Sequence, residues 1–300
     1  MNSVVRFPPA LGAWVRQHLD QGQAPDELVR AMAERKIAAE AARSIVAAFV
    51  RSRIEGTPAP VDSVEATLDE SAADANPADR IEPPRLAPGP VIHVDGRIVR
   101  VVARAERPVL AVLAGVLDAA ECDELIDRAR SRLAPSTLVD PASGRDVVSG
   151  KRDSSGMFFR LREDAFIARL DQRLADIMSM PVEHGEGLQV LHYPTGAGSA
   201  PHFDFLAPSN EANRASIARS GQRVSTMVTY LNDVAAGGET AFPSAGWAIT
   251  PERGNAVCFE YCNRFGELDQ ASVHASRAVE SGEKWVATKW LRERPFVSSP

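Results

Sequence analysis

The hydrophobic pattern changes character twice along the chain. Between residues 10 and 55 apolar side chains recur at helical spacing, beginning with Leu11, Trp14 and Val15 beside His18. The stretch APDELVRAMAERKI sets Pro25 near a helix start, with Asp26 and Glu27 in the first turn. The alanine-rich AAEAARSIVAAFVRSRI keeps Ile45, Phe49 and Val50 to one side. Residues 1–55 are therefore expected to form a small helical bundle of three short helices. Such a bundle is marginal alone and suits packing against a main domain or another chain. Residues 56–90 lose the period. They are rich in Pro, Ala, Asp and Ser, hold few large apolar residues, and read as a linker.

From residue 91 to 300 the pattern is mixed. VIHVDGRIVRVVA alternates around Asp95-Gly96, a hairpin signal. VLDAAECDELIDRARSRL predicts a helix with Asp118 as N-cap and Glu121 closing a capping box. EDAFIARLDQRLADIMSM predicts a second helix, striped by Phe166, Leu170, Leu174 and Ile177 or Met178. After Gly185 the helical period stops. LQVLHY, RVSTMVTYL, WAIT, NAVCFEY, ASVHASRAV and KWVATKWLRE read as short strands between Gly, Pro, Asn and Asp turns. Many short strands at close spacing suggest a β-sandwich or barrel, so the fold class is α+β.

Composition narrows the function. Three hundred residues allow one sizeable domain with an appendage, or two modest ones. The net charge of −6 argues against a broad basic surface for nucleic acid. No run of about eighteen apolar residues exists, so no membrane span is expected. Arg6, Pro8 and Pro9 interrupt the N-terminal apolar stretch, against a signal peptide. Cys122, Cys258 and Cys262 are odd in number and lack a CxxC pair, which points to a reducing, cytoplasmic setting with all three as ordinary buried residues.

The candidate chemistry lies in HYPTGAGSAPHFDF, residues 192–205. It holds two of the six histidines and one of the three tyrosines. On an extended strand His202 and Asp204 would face the same way. By themselves they are a surface pair. His274 is the only other histidine in the strand-rich half downstream. Two histidines and a carboxylate leave metal positions open, the arrangement of non-haem Fe(II) oxygenases rather than of a closed zinc site. Ten residues after His274 comes Lys284. A turn at Glu280–Glu283 would pair the two strands antiparallel and line one cavity with both residues. A buried ammonium there needs an anion, and the distal carboxylate of 2-oxoglutarate would supply it. Otherwise Lys284 is a snorkelling edge lysine. Lys289, of opposite strand parity, should face outward.

From about Val109 to Phe296 the chain resembles the 2-oxoglutarate- and Fe(II)-dependent dioxygenases, in particular the prolyl 4-hydroxylase type. The resemblance rests on DAAECDELIDRARSRL, KRDSSGMFFR, EGLQVLHY, PHFDF, GQRVSTMVTYLNDVAAGGETAFP, GNAVCFEY and VHASRAVESGEKWVATKWLRER. It implies a double-stranded β-helix, or jelly-roll, core with supporting helices. It implies that His202, Asp204 and His274 ligate Fe(II), and that Lys284, Tyr193 and Thr240 contact 2-oxoglutarate, with ascorbate as reductant. Arg152, Ser154, Glu186, Arg223 and Trp290 match positions that line the peptide groove of family members. The family often has Thr within RxS, where this chain has Asp153. Thr240 also fits a plain turn, Arg152 a structural ion pair, and both Trp285 and Trp290 a plain core, the better reading for Trp285. His192 reads as structural, and no catalytic role falls to His18, His93 or His184. Residues 206–221 would form a mobile lid.

The expected reaction couples decarboxylation of 2-oxoglutarate to hydroxylation of an unactivated C–H. A prolyl residue of a peptide or protein is the first reading of the substrate, and a free amino acid or other small molecule the second. A non-catalytic metal-binding scaffold, working through the helical N-terminus, is the reading from a different class. The oligomeric state stays open, a homo-oligomer included.

Overall fold

The computed structural model describes residues 3–20, 23, 25–55, 57–66, 83–135, 138–139, 146–147, 154–263 and 266–298. It contains two compact units, residues 1–83 with 208–214, and residues 84–207 with 215–300.

In the first unit three helices, Pro9–Asp20, Pro25–Glu34 and Ala39–Glu55, form where the apolar period calls for them. Val15, Leu19, Leu28, Met32, Ile45 and Phe49 share their core. One element escaped the pattern. Strand Ser3–Arg6 pairs antiparallel with Ser63–Ala66, and Val64 joins the same core. The second of these strands lies inside the stretch expected to be a linker. Four residues are too few to show an alternation, and their partner is remote in sequence. At the other end of that stretch Leu86 is buried in the core of the second unit, and Arg85 is ion-paired with Glu260 at 2.7 Å. Packed structure therefore resumes before residue 91.

The second unit mixes helices with two main antiparallel sheets and, among the described residues, two two-stranded ribbons. The larger has nine described strands in the order Val91–Val94, Arg97–Glu106, Val109–Ala114, Ala256–Glu260, Arg223–Tyr230, Lys284–Arg292, Leu188–Tyr193, Ser155–Phe159 and Ala134–Pro135. The smaller runs Ser199–His202, His274–Ser276, Thr240–Phe242 and Trp247–Ile249. Phe242 of the small sheet packs edge-on against Phe259 of the large one, with centroids 5.1 Å apart, so the two sheets share one core.

The predicted hairpin turns at Asp95 and Gly96, whose φ angles of 48° and 71° suit a type I′ turn. The capping box at helix Ala119–Arg130 forms in both directions. Glu121 N donates to Asp118 Oδ1 at 2.9 Å, and Asp118 N donates to Glu121 Oε2 at 3.1 Å. Helix Ala165–Ile177 buries Ile167, Leu170, Leu174 and Ile177, while Phe166 is only partly covered.

Strand Lys284–Arg292 is buried along its whole length, on both faces. This overturns the expectation for Lys289. It does point away from the Lys284 face, but helix Ala165–Ile177 covers that side. Its ammonium, fully buried, pairs with Asp171 at 2.7 Å and donates to the Glu186 carbonyl. Burial pulls the Lys289 pKa down against the pull of Asp171. Trp285 is core, beneath Arg130 and stacked on His192 at 4.3 Å.

Residues 206–221 do not form a bare loop. They contain helix Glu211–Ser220. The carbonyls of Ser216 and Gly221 accept from Arg292, and those of Ile217 and Ala218 from Arg294. The two arginines thus tie down the C-terminal end of the helix, where carbonyls run short of intrahelical donors. No described helix is long and apolar enough to cross a membrane.

Candidate functional site

His202 closes strand Ser199–His202 and lies directly across from His274 in the antiparallel register. Their rings are 4.4 Å apart. Asp204 follows just beyond the strand. Its Oδ1 lies 3.8 Å from His202 Nε2, and its Oδ2 3.6 Å from His274 Nε2. One ligand atom from each residue falls within 4.8 Å of the others, a spacing that can hold a metal ion.

The surroundings orient those atoms. His202 Nδ1 is 2.9 Å from the Ala200 carbonyl, and His274 Nδ1 is 3.1 Å from the Ser272 carbonyl. A carbonyl only accepts, so each Nδ1 carries a proton, and Nε2 is the nitrogen turned to the site, where the neutral ring presents a lone pair. Asp204 Oδ2 accepts from Thr226 Oγ1 at 2.7 Å, and Thr226 is in turn 3.0 Å from the Tyr261 hydroxyl. This leaves Oδ1 to face a metal. Burial opposes charge on Asp204, but His274, His202, Arg223 and the Thr226 hydrogen bond outweigh it and hold the carboxyl at about 2. His274 is fixed further by Phe259 and Phe242, with ring centroids at 4.7 and 5.7 Å. Two imidazoles able to ligate through Nε2 and one ionised carboxylate suit a divalent transition metal with positions left open.

Lys284 reaches the site by a route other than the expected strand pairing. The strands of His274 and Lys284 do not pair with each other. After Ser276 the chain leaves the small sheet, forms Val279–Ser281 against Ala236–Gly237, and enters the large sheet at Lys284. The two residues thus lie in different sheets, joined through the contact of Lys284 with Ser276. Lys284 is 2% exposed, and its Nζ donates to Ser276 Oγ at 2.9 Å. Among the described residues no carboxylate lies within ion-pair distance of it. The rings of Tyr193 and Tyr230 lie 5.5 and 5.7 Å from Nζ. Tyr193 is the cross-strand partner of Lys284. Burial pushes the Lys284 pKa down to about 7, against the pull of the Glu239 charge.

Thr240 is buried and accepts from the Tyr230 hydroxyl at 2.9 Å. It sits opposite Ser276 in the register of the small sheet, so both hydroxyls belong to the wall around Lys284. The glycines of GGET have steric reasons. Gly237 has φ 73°, and a Cβ there would lie 2.4 Å from the Ala278 carbonyl oxygen. A Cβ on Gly238 would press on the Lys284 stem at 3.4 Å.

Glu186, Arg223 and Trp290 come together on the same side of the large sheet. Arg223 makes a bidentate pair with Glu186 at 2.6 and 2.7 Å and stacks over Trp290 at 4.2 Å. Its Nη1 donates to the Asp204 carbonyl at 3.2 Å. Arg292, absent from the sequence reading, adds a 2.9 Å bond to Glu186 Oε1. Burial raises the Glu186 pKa, but the two guanidiniums outweigh it and the net shift is downward. Ser154 is buried just before strand Ser155–Phe159, whose neighbour carries Tyr193. Arg152 lies outside the described residues. His192 turns to the opposite face, where its Nε2 meets Glu283 at 2.8 Å.

Sequence reasoning missed Thr226, Tyr261 and Ser276. For Ser276 a signal existed: it stands two positions after His274, on the same strand face.

Comparison with known proteins gives this geometry a context. Residues 188–292 match the family described as the 2OG-Fe(II) oxygenase superfamily. Two relatives in Arabidopsis thaliana are "Probable prolyl 4-hydroxylase 10", 37% identical over 209 residues, and "Prolyl 4-hydroxylase 1", 39% identical over 202 residues. The matches cover 63% and 62% of this chain, and 70% of each relative. A solved structure, the viral collagen prolyl hydroxylase of Paramecium Bursaria Chlorella virus-1, aligns with a TM-score of 0.48 at 25% identity. That alignment covers 61% of this chain and 95% of the viral one. On the strength of the family match and these relatives, the chain belongs to the 2-oxoglutarate- and Fe(II)-dependent oxygenases of prolyl 4-hydroxylase type.

Proposed function

We propose that this protein hydroxylates prolyl residues in a peptide or protein, using Fe(II) and 2-oxoglutarate, with ascorbate as the reductant that keeps the metal ferrous. The observation that carries the reading is a pair of features joined through the strand His274–Ser276. Three ligand atoms converge from His202, Asp204 and His274, and the buried amine of Lys284, with no carboxylate within ion-pair distance among the described residues, bonds to Ser276 on the strand that carries His274. The relatives bearing prolyl 4-hydroxylase names support the substrate class.

In this reading His202, Asp204 and His274 hold the iron, and Lys284 with Thr240 and Tyr193 holds the distal carboxylate of 2-oxoglutarate. When bound, the two supply the chemistry: one oxygen atom of dioxygen enters succinate as carbon dioxide leaves, and the other enters the substrate C–H. The chain's own residues bind, orient and exclude water. The Thr226 hydroxyl keeps Asp204 ionised and turned, and the Ala200 and Ser272 carbonyls keep both imidazoles in the ligating tautomer. Tyr193 and Tyr230 wall the cation from solvent, so its charge acts in a low dielectric. Trp290 and the Glu186–Arg223 pair form the near side of a peptide groove, with Arg152 and Ser154 assigned to it as well.

The two facing sheets we take as a double-stranded β-helix with supporting helices, and the helices between residues 9 and 55 as a separate small domain. Three buried cysteines, none of them in a disulfide, suit a reducing compartment.

The test is succinate formation from 2-oxoglutarate by Fe(II)-loaded protein with ascorbate, with and without a proline-rich peptide. Peptide-stimulated turnover, abolished in His202→Ala and impaired in Lys284→Ala, is expected. Turnover indifferent to the peptide overturns the prolyl assignment, and failure to bind iron overturns the whole reading.

A further inference from the structure

We infer that Ser276 is a further co-substrate-binding residue, donating its hydroxyl to the distal carboxylate of the oxo acid beside Lys284. The inference rests on the function proposed above and extends it to a residue that neither sequence motif nor family resemblance singled out.

Three observations converge on Ser276. First, its Oγ lies 2.9 Å from Lys284 Nζ; once an arriving carboxylate has brought Lys284 its charge, the ammonium can only donate, so the Ser276 oxygen is the acceptor. The hydroxyl proton is then spent on a poor contact, the Arg277 carbonyl at 3.4 Å. A carboxylate arriving at Lys284 offers that proton a stronger acceptor. Second, Ser276 stands at the centre of the small sheet's register, across from Ser199 on one side and Thr240 on the other. Ser199 Oγ accepts from the Ser276 backbone N–H at 2.9 Å, which fixes the backbone that carries the hydroxyl. Third, Thr240 Oγ1 already accepts from Tyr230, so its own proton is likewise left to point elsewhere. The Lys284 amine and two hydroxyls are thus grouped around one cross-strand pair. That donor set matches a carboxylate with two oxygens to satisfy. His274 lies on the same strand face two residues away, which sets the metal and the carboxylate cradle at a fixed separation. A serine held in that position acts as a gauge for the length of the oxo acid.

The test is equilibrium binding by titration calorimetry on the full chain, anaerobic and loaded with Fe(II). The ligands are 2-oxoglutarate and pyruvate, which shares the oxo acid but has no distal carboxylate. A hydrogen bond to a charged group corresponds to roughly a ten- to hundredfold change in affinity. Ser276→Ala is expected to weaken 2-oxoglutarate by about that factor while leaving pyruvate unchanged, and Ser276→Thr is expected to restore most of the loss. Unchanged 2-oxoglutarate binding in Ser276→Ala overturns the inference. Equal weakening of both ligands also overturns it, since the effect is then structural. Lys284→Met separates this failure from the larger one. If Lys284→Met weakens 2-oxoglutarate and Ser276→Ala does not, only the role of Ser276 falls. If neither variant matters, the co-substrate site proposed above falls with it.

Discussion

Binding of 2-oxoglutarate should draw a proton from solution, and Lys284 should be its destination. In the unliganded protein burial brings this lysine from its ordinary 10.5 down to about 7. At pH 8 only about one molecule in ten then carries the charge. A carboxylate seated against Nζ in a dry pocket reverses the shift, so binding at pH 8 takes up roughly 0.9 proton per site. Apparent affinity follows: it falls about tenfold per pH unit above 7 and is flat below about 6. The sign for stability is the opposite. The unfolded chain binds the proton up to about 10.5 and the unliganded fold only up to about 7, so stability rises with pH across that window. The full span corresponds to something on the order of 5 kcal/mol, all of it set against the fold at low pH. Calorimetric titrations at pH 8 in two buffers of different ionisation enthalpy measure the uptake directly. Lys284→Met provides the control, because it should abolish the buffer dependence. Proton uptake near zero in the unaltered protein would refute the reasoning, for it would mean the ammonium is charged before any anion arrives.

Other perturbations test the frame around the site. Thr226→Val should lower metal affinity about ten- to a hundredfold by releasing Asp204 Oδ2, while the melting temperature hardly moves; a metal titration beside a thermal scan reads both. Lys289→Met should destabilise the protein by about 3–5 kcal/mol in urea, since it strands the buried Asp171, and adding Asp171→Leu should recover much of that loss. Asp118→Ala removes an N-cap and its pair with Arg97, and should lower unfolding free energy by about 1 kcal/mol without touching co-substrate affinity.

What could be read without coordinates followed physical range. The turn at Asp95-Gly96, the capping box of Asp118 and Glu121, and the strands from Leu188 onward depend on neighbours a few residues away, and the chain spells them out locally. His202, Asp204 and His274 could be grouped from the sequence because residue type and spacing carry chemistry that few other patterns share, and the structure brings their ligand atoms together. The strand Ser63–Ala66 stayed hidden because its partner is more than fifty residues distant and its own composition resembles a linker. Lys289 was assigned to solvent because strand parity tells which face a side chain takes, not what covers that face. Helix Glu211–Ser220 was hidden for a related reason: its polar sequence has little apolar stripe, and Arg292 and Arg294 supply from afar the bonds its carbonyls need. The pairing of His274 with Lys284 was misread in topology though not in proximity, since a chain that changes sheets can bring two residues together as well as a hairpin can.

Strand Lys284–Arg292 follows every other strand of the large sheet in the chain, yet it belongs between Arg223–Tyr230 and Leu188–Tyr193. During synthesis the sheet therefore waits with a gap in its middle. Two long edges, one of them Val- and Thr-rich, stay open until the ribosome has delivered Arg292, and open edges are templates for pairing with other chains. The same late strand brings Lys284. With the role proposed for Lys284, co-substrate binding becomes available only once the sheet is whole, so binding competence and escape from edge-to-edge aggregation arrive together.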